Sequence, residues 1–242
     1  MAQLSTKTIR KDFESAIETA INIYSPVRQD CIWNYESINE GTFHPRVAFK
    51  VVGFTFLSII AAWEEYLEKS FLRYMSGAKS ETLYSPKLRI GKCKNTTHSI
   101  QVLTGAINSN EAVRYMRWND YDWVLSRAQI FFNKAEPYSK LPSLFQERFK
   151  DAQIIRNRVA HSSSKARNQF KKMTNKNSGA PLNSPMPFGF SPGKYLIYTK
   201  PEIIFQKSWI DSKNCEWPDI FECYIHMFIE CIDIITPNRN NN

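Results

Sequence analysis

An arginine and a histidine five residues apart are the side chains in this sequence best suited to phosphate chemistry. Arg156 and His161 lie in the segment IIRNRVAHS, and Asn157 directly follows the arginine. A histidine exchanges protons near neutral pH, and an arginine offers a planar, permanently charged fork to phosphate oxygens. Cleavage of RNA by its own 2′-hydroxyl needs a proton acceptor, a proton donor and stabilisation of charge at phosphorus. The three residues are therefore suited to RNA cleavage without a metal.

The residues before this motif predict that a helix presents it. Apolar residues recur at three- and four-residue steps from a start near Ser143, namely Leu144, Phe145, Phe149, Ala152, Ile155 and Val159. On an unbroken helix the five-residue step places Arg156 and His161 about 140° apart, whereas Asn157 and His161 share a face. Arg156 can meet His161 if the helix breaks near Ala160 or if the arginine side chain bends round.

Each of these side chains also has a common structural role. A histidine near a helix end often serves only as a capping or surface residue, and an arginine in the last turns often complements the helix dipole. A bare Arg-x4-His spacing is easily met by chance in a chain of this size. The asparagine after the arginine and the alanine before the histidine make the pattern more specific.

The positive charge of the chain is concentrated beside the motif. The formal net charge is +9, and residues 152–201 contain nine Lys and Arg residues but no Asp or Glu, so the rest of the chain is balanced. Such a run is often only a solvated surface, but beside a phosphate-cleaving site it predicts a track for the RNA backbone. The cations predicted to contact RNA are Arg158, Lys165, Arg167, Lys171 and Lys172.

Aromatic residues are interleaved with these cations and have two possible roles. They are Phe170, Phe188, Phe190, Tyr195 and Tyr198. Some can stack on unpaired RNA bases; alternatively, they fix the surrounding loop to the core. We expect the second role for at least half of them.

The hydrophobic pattern predicts the helices that position the motif. An amphipathic stripe over residues 9–24 predicts a helix that Pro26 ends. A long helix is predicted from Val47 to Met75, with Gly77 in the position of a C-cap. Its first half is apolar nearly all round and is expected at the centre of the fold.

Weaker patterns cover the rest of the chain. Short helices are predicted at 99–107 and 111–118, and a last helix runs from Pro218, at its N1 position, to Ile235. Proline and glycine predict a basic loop at about 175–194. The tail, residues 237–242, is expected to fray.

These elements predict a mainly all-α fold in a single domain, residues 1–242. Long loops separate the helices, and two short extended pieces at 195–198 and 203–205 predict a small β element.

In its motif and its order of elements, the chain resembles the HEPN superfamily of nucleotide-binding helical domains. Many members are RNases with an Arg-x(4–6)-His signature in which a polar residue follows the arginine, as Asn157 does here. The segment 61–68, which reads AAWEEYLE, looks like the second helix of these domains. The order of elements is similar to that of the prokaryotic RiboL-PSP and MAE-type groups. The resemblance implies a HEPN-type antiparallel helical bundle over almost the whole chain.

The resemblance also implies an activity. Such RNases need no metal or other cofactor and leave a 2′,3′-cyclic phosphate and a 5′-hydroxyl. They act as homodimers, so that Arg156, Asn157 and His161 of both copies would line one composite site. Prokaryotic members are typically toxins or antiviral-defence effectors of abortive infection, held inactive by assembly state or by a partner such as an antitoxin. The alternative is a non-catalytic HEPN module that binds RNA or regulates. A sequence-specific DNA-binding protein is a third possibility, but no recognition-helix motif supports it.

Two acidic residues on the long helix are candidate partners of the motif. Glu64 and Glu65 follow the most buried turn of the helix, and one of them can orient Arg156 or His161. The simpler interpretation is a surface role in which Glu65 pairs with Lys69, four residues further on.

The remaining features limit the compartment and the class of function. No secretory signal is visible, and the longest apolar stretch, Val51–Trp63, has about 13 residues, whereas a membrane span needs roughly 20. The five cysteines are scattered without a Cys-x2-Cys pair. We therefore expect a cytoplasmic protein with reduced thiols and neither a zinc site nor a membrane span. Motifs of nucleotide-binding loops, serine hydrolases and zinc deaminases are missing from the sequence.

Overall fold

The computed structural model describes residues 5–33, 44–105, 116–187, 189–215 and 218–239. These residues form nine α-helices and three short 3-10 helices, and they contain no strand. The α-helices are α1 (Lys7–Trp33), α2 (Pro45–Met75), α3 (Thr96–Thr104), α4 (Tyr121–Phe131), α5 (Ser143–Ala160), α6 (Ser164–Asn177), α7 (Pro192–Tyr198), α8 (Lys207–Asp211) and α9 (Ile220–Ile235). The predicted mainly all-α fold is confirmed.

The prediction of a small β element is wrong for the described residues. Residues 195–198 end helix α7, and Ile203 ends a 3-10 helix that begins at Pro201. Helix α7 begins at Pro192 because the Ser191 side chain accepts a hydrogen bond from the backbone N–H of Lys194 and because a proline suits the first turn of a helix. These start signals outweigh the β propensity of the apolar residues that follow. Two isolated β-bridges, Ser5 with Lys79 and Leu88 with Phe132, are the only β pairing in the described residues.

The predicted end of the first helix is also wrong. Pro26 lies inside α1, which continues to Trp33. The turns after the proline are held by packing and by charge, since Val27 is buried and Arg28 Nε lies 2.8 Å from the Asp219 carboxylate. Tertiary contacts here offset the local cost of the interior proline.

Helix α2 agrees with the predicted long helix but is not surrounded by protein. Val52 and Phe56 are fully buried, whereas Val47 and Phe54 are 49% and 59% exposed. By length and composition α2 is able to cross a membrane, with a mean hydropathy of 1.6 in an 18-residue window. Inside the fold 44% of that window is buried, and a single helix of this kind is weak evidence for a membrane span. Gly77 follows with a φ of +74°, as expected for the predicted C-cap.

The chain divides into two compact units, each assembled from separated segments. Unit 1 comprises residues 1–14, 62–149 and 228–242, and unit 2 comprises residues 15–61 and 150–227. The core of unit 1 is built around Trp63, whose ring centroid lies 5.4 Å from that of Phe149 and 5.1 Å from that of Phe228. A single domain over residues 1–242 stays a prediction.

The core of unit 2 brings α2 and α9 together. The ring centroid of Phe56 lies 5.1 Å from that of Tyr224 and 6.2 Å from that of Phe221. Helix α9 begins at Ile220, because Asp219 is its N-cap and accepts a hydrogen bond from the backbone N–H of Glu222 at 2.9 Å. Pro218 therefore precedes the cap and does not occupy the predicted N1 position.

Some predictions fall on residues outside the described ranges. They are most of the predicted helix at 111–118, the last residues of the helix at 99–107, the aromatic Phe188 and the last three residues of the tail.

Candidate active site

Helix α5 carries the motif and stops directly before the histidine. It runs from Ser143 to Ala160, and residues 161–163 are not helical. The next helix, α6, starts after Ser163, whose side chain accepts a hydrogen bond from the backbone N–H of Ala166 at 3.3 Å. Of the two local arrangements that the sequence left open, the structure therefore has the helix break.

Arg156 and Asn157 are paired on the last turns of α5. Arg156 Nη1 donates a hydrogen bond to Asn157 Oδ1 at 3.2 Å, and both residues are half-buried. Because the amide oxygen faces the guanidinium, the amide nitrogen of Asn157 is left as a hydrogen-bond donor. The backbone carbonyl of Asn157 also accepts a hydrogen bond from the N–H of His161 at 3.0 Å. Asn157 thus contacts both of the other motif residues.

His161 is exposed, and its backbone is held by Arg158, which lies between Asn157 and His161 in the chain. Arg158 Nη1 donates a hydrogen bond to the carbonyl oxygen of His161 at 3.1 Å. This contact satisfies one of the carbonyl groups that the end of α5 leaves without a helical partner. A guanidinium has five N–H donors, so Arg158 can still bind a phosphate oxygen as predicted.

The other cations predicted to contact RNA lie on α6. Lys165, Arg167 and Lys172 are exposed, and Lys165 and Lys172 share a face because they are two helical turns apart. Lys171 is half-buried and donates a hydrogen bond to the backbone carbonyl of Asn183 at 3.0 Å. Three of these four side chains are therefore accessible to a polyanion, and the fourth also fixes the loop after α6.

A buried asparagine that the sequence did not single out organises this loop. Asn175 is 7% exposed, and its amide nitrogen lies 3.0–3.1 Å from three carbonyl oxygens, those of Pro181, Leu182 and Ser184. The predicted long loop is in this way packed against the end of α6. An asparagine near a helix end before a Pro/Gly-rich segment is a signal for such side-chain–backbone bonds.

Most of the interleaved aromatic residues also fix this region internally. Phe170 and Tyr195 are 0% and 1% exposed, with ring centroids 5.8 Å apart, and Phe190 packs against both. Tyr198 is 37% exposed, and its hydroxyl donates to the carbonyl of Cys31 at 3.1 Å. Three of the five therefore have the predicted role of attaching the loop to the core.

The two candidate acidic partners differ in their contacts. Glu65 Oε1 lies 2.5 Å from Lys69 Nζ, with the carboxylate side chain 62% exposed. Its predicted surface pairing is confirmed. Glu64 is half-buried and belongs to unit 1, whereas the motif belongs to unit 2. A positioning role for Glu64 stays a prediction.

A cavity in unit 2, away from the motif, is bordered by none of the predicted site residues. It has a volume of about 770 Å³ and is bordered by Arg28, Tyr198 and Asp219. Asp219 caps α9, accepts a hydrogen bond from the buried Tyr24 hydroxyl and pairs with Arg28. The side chains of Asp219 and Arg28 therefore have structural partners within the fold.

No three or more His, Cys, Asp and Glu side chains in the described residues are grouped so that they could hold a metal ion. The predicted composite site needs the motif of a second copy and stays a prediction.

No protein-family model matches the chain, and comparisons with curated proteins and with solved structures gave no match either.

Proposed function

We propose that this chain is a metal-independent endoribonuclease of HEPN type. One observation carries the proposal: α5 ends at Ala160, so that the exposed His161 directly follows the helix that holds the paired Arg156 and Asn157. Asn157 connects the two, because its side-chain oxygen accepts a hydrogen bond from Arg156 and its backbone carbonyl accepts one from the N–H of His161.

In the proposed reaction the 2′-hydroxyl oxygen of RNA attacks the adjacent phosphorus. A His161 side chain takes the hydroxyl proton, the bond from phosphorus to the 5′-oxygen breaks, and a protonated His161 gives a proton to the leaving oxygen. Arg156 stabilises the negative charge on the phosphate oxygens, and the Asn157 amide donates a further hydrogen bond. The products are a 2′,3′-cyclic phosphate and a 5′-hydroxyl. In a homodimer the two histidines would share the roles of base and acid.

The cations beside the site supply the proposed binding surface. Lys165, Arg167 and Lys172 are exposed on α6, and residues 152–201 contain no acidic residue to oppose them. Binding through such cations neutralises phosphates and releases counterions, so it weakens steeply with salt.

The proposed biological role rests on the resemblance to prokaryotic HEPN proteins. The chain would act in the cytoplasm as a toxin or antiviral-defence effector, neutralised by a partner protein or by its assembly state. In the alternative function, the chain binds RNA through the same surface but does not cleave it.

Cleavage assays in EDTA test the proposal. Wild type, Arg156→Ala, Asn157→Ala and His161→Ala are incubated with total RNA or tRNA, and Arg117→Ala and His98→Ala serve as matched controls outside unit 2. We expect cleavage by wild type and both controls, and its loss in Arg156→Ala and His161→Ala. Binding without cleavage by any variant would favour the non-catalytic module, and cleavage that stops in EDTA would contradict the metal-free mechanism.

Light scattering tests the composite site separately. We expect the mass of a dimer at high protein concentration, and a strict monomer that still cleaves RNA would contradict the shared site.

A further inference from the structure

A groove opens beside the motif within unit 2. Its volume is about 470 Å³, and it lies between the N-terminal half of α2, the last turn of α5 and the segment that leads into α7. Phe49, Gly53 and Phe54 come from α2, Val159 from α5 and Gly193 from the start of α7. The volume is within the range of roughly 300–1,000 Å³ that small-molecule sites occupy.

Two glycines bring the walls of the groove together. A Cβ atom on Gly53 would lie 3.3 Å from Val159 Cγ2, and a Cβ atom on Gly193 would lie 1.9 Å from the carbonyl oxygen of Phe49. Glycine inside a helix costs about 1 kcal/mol relative to alanine, and at Gly53 the close approach of α5 accounts for it. The two glycines therefore let α2 lie against the Val159 side chain of α5 and let the start of α7 lie against the backbone of α2.

One wall of the groove is an aromatic ring that faces solvent. Phe54 is 59% exposed, although its neighbours on α2, Val52 and Phe56, are fully buried. An exposed aromatic side chain at the edge of a concave site provides a stacking surface for a planar ligand.

Cations surround this apolar surface. Arg46, Lys50 and Arg158 all line the groove, and no acidic residue occurs in the two stretches that supply its lining, residues 41–63 and 152–201. Arg158 also donates to the carbonyl oxygen of His161, so the same arginine belongs to the groove and to the end of the motif.

We propose that the groove binds an unpaired base of single-stranded RNA, stacked on Phe54, with the neighbouring phosphates on Lys50, Arg46 and Arg158. This inference rests on the proposed function, because it assigns a base-binding subsite beside His161. A base in a duplex is stacked on both faces and cannot enter such a groove, whereas an unpaired base can be splayed out onto an aromatic side chain. The proposed substrate is therefore RNA that is single-stranded at the site of cleavage.

The charge argues for RNA over the other possible occupants. A second copy placed symmetrically on this groove would bring its own three cations against these three, which is unfavourable. A flat anionic membrane would contact the exposed Phe54 ring but would leave the concave surface around Gly53 and Gly193 unfilled.

Binding assays with an uncleavable RNA test the proposal independently of catalysis. The probe is a fluorescent single-stranded oligonucleotide with 2′-O-methyl groups, which lacks the attacking hydroxyl. A second probe has the same backbone with abasic positions. The variants are Phe54→Ala, Phe54→Trp and Lys50→Gln, and the matched control is Ile130→Ala, which removes a side chain that is 48% exposed on α4. Thermal melting verifies that all variants fold.

We expect Phe54→Ala to weaken binding of the probe at least roughly five-fold, and Phe54→Trp and Ile130→Ala to bind like wild type. The effect of Phe54→Ala should vanish with the abasic probe. Lys50→Gln should weaken binding of both probes and lower the salt slope by about one.

Equal binding by Phe54→Ala and wild type would overturn the subsite. Loss of dimer mass in Phe54→Ala with unchanged RNA affinity would also overturn it, because the groove would then be an interface between copies. If Phe54→Ala lost only its binding to anionic vesicles, the groove would be a membrane-contacting surface, and the subsite would again be overturned. Cleavage that persists with no effect of Phe54→Ala would contradict only the subsite. Phe54-dependent binding without cleavage by wild type would contradict only the proposed catalysis.

Discussion

Arg158 donates a hydrogen bond from Nη1 to the backbone carbonyl oxygen of His161 at 3.1 Å. The bond closes the end of α5 and fixes the peptide group of the one residue in the motif that lies beyond the helix. Arg158 therefore has two roles in the proposed enzyme, as a cation for RNA and as the support of the proposed acid–base residue.

Replacing Arg158 by alanine separates these two roles. The free energy of unfolding should fall by no more than about 0.5–1.5 kcal/mol, the usual net worth of one hydrogen bond. Cleavage at saturating RNA should fall, because the His161 backbone loses its support. Arg167→Ala removes an exposed cation on α6 and is the control; it should weaken RNA binding without lowering the saturated rate. Equal saturated rates for the two variants would contradict the supporting role.

Replacing Gly193 by alanine should destabilise unit 2. The new Cβ atom would lie 1.9 Å from the carbonyl oxygen of Phe49, so the backbone of α2 or of the α7 start must move. We expect the free energy of unfolding, measured with urea, to fall by at least about 2 kcal/mol. Gly91→Ala is the matched control, since nothing lies within 4 Å of its Cβ position. Equal unfolding midpoints for the two variants would show that the close approach is absent.

Replacing Asn175 by alanine should release the loop after α6. Three backbone carbonyls lose their common donor, and we expect a loss of about 1–3 kcal/mol in stability. Hydrogen exchange should become faster over residues 178–187, where backbone and loop contacts depend on the asparagine. Asn168→Ala, at an exposed position of the same helix, should leave both measurements unchanged. Protection that is the same in both variants would contradict the anchoring role.

The stability of the protein should depend on His226 below neutral pH. Burial, with a smaller effect from Lys213, lowers the pKa of the His226 imidazole from its ordinary value of 6.5, and Cys215 Sγ lies 3.0 Å from its Nε2 atom. Because the unfolded chain binds this proton more readily than the folded one, stability is full above pH 6.5 and falls as the pH drops towards the folded-state pKa.

His226→Gln removes the imidazole that binds this proton. The difference in the free energy of unfolding between pH 7 and pH 5 should be smaller in the variant than in wild type, as measured by urea titration at each pH. Asn168→Ala, at an exposed position that does not titrate, is the control and should keep the wild-type slope. An unchanged slope in His226→Gln would contradict the role of burial.

Local periodicity predicted the helices well where one face of the sequence is continuously apolar. The start of α5 at Ser143 and the end of α2 at Met75 agree with the structure because stripe, cap and breaker coincide there. The end of α1 could not be predicted this way. Pro26 is a local stop signal, whereas Arg28 is held by Asp219, which is 191 residues away in the chain.

The geometry of the motif was only partly predictable. The helix break after Ala160 remained one of two alternatives, because no glycine or proline marks it. The three serines after His161 were a usable signal, since one of them, Ser163, caps the next helix. The groove was not predictable, because its lining comes from segments more than 100 residues apart and depends on how closely Gly53 and Gly193 allow their neighbours to approach.

The boundary between the two units falls inside four helices, α1, α2, α5 and α9. Neither unit can therefore be obtained by cutting the chain in a loop, and the shortest continuous piece that contains all of unit 2 runs from Ser15 to Met227. Helix α5 itself changes unit between Phe149 and Lys150, and Lys150 lies about 1.7 turns before Arg156. For protein engineering, truncation is thus a poor route to an isolated motif, and point substitution in the uncut chain is the practical way to dissect it.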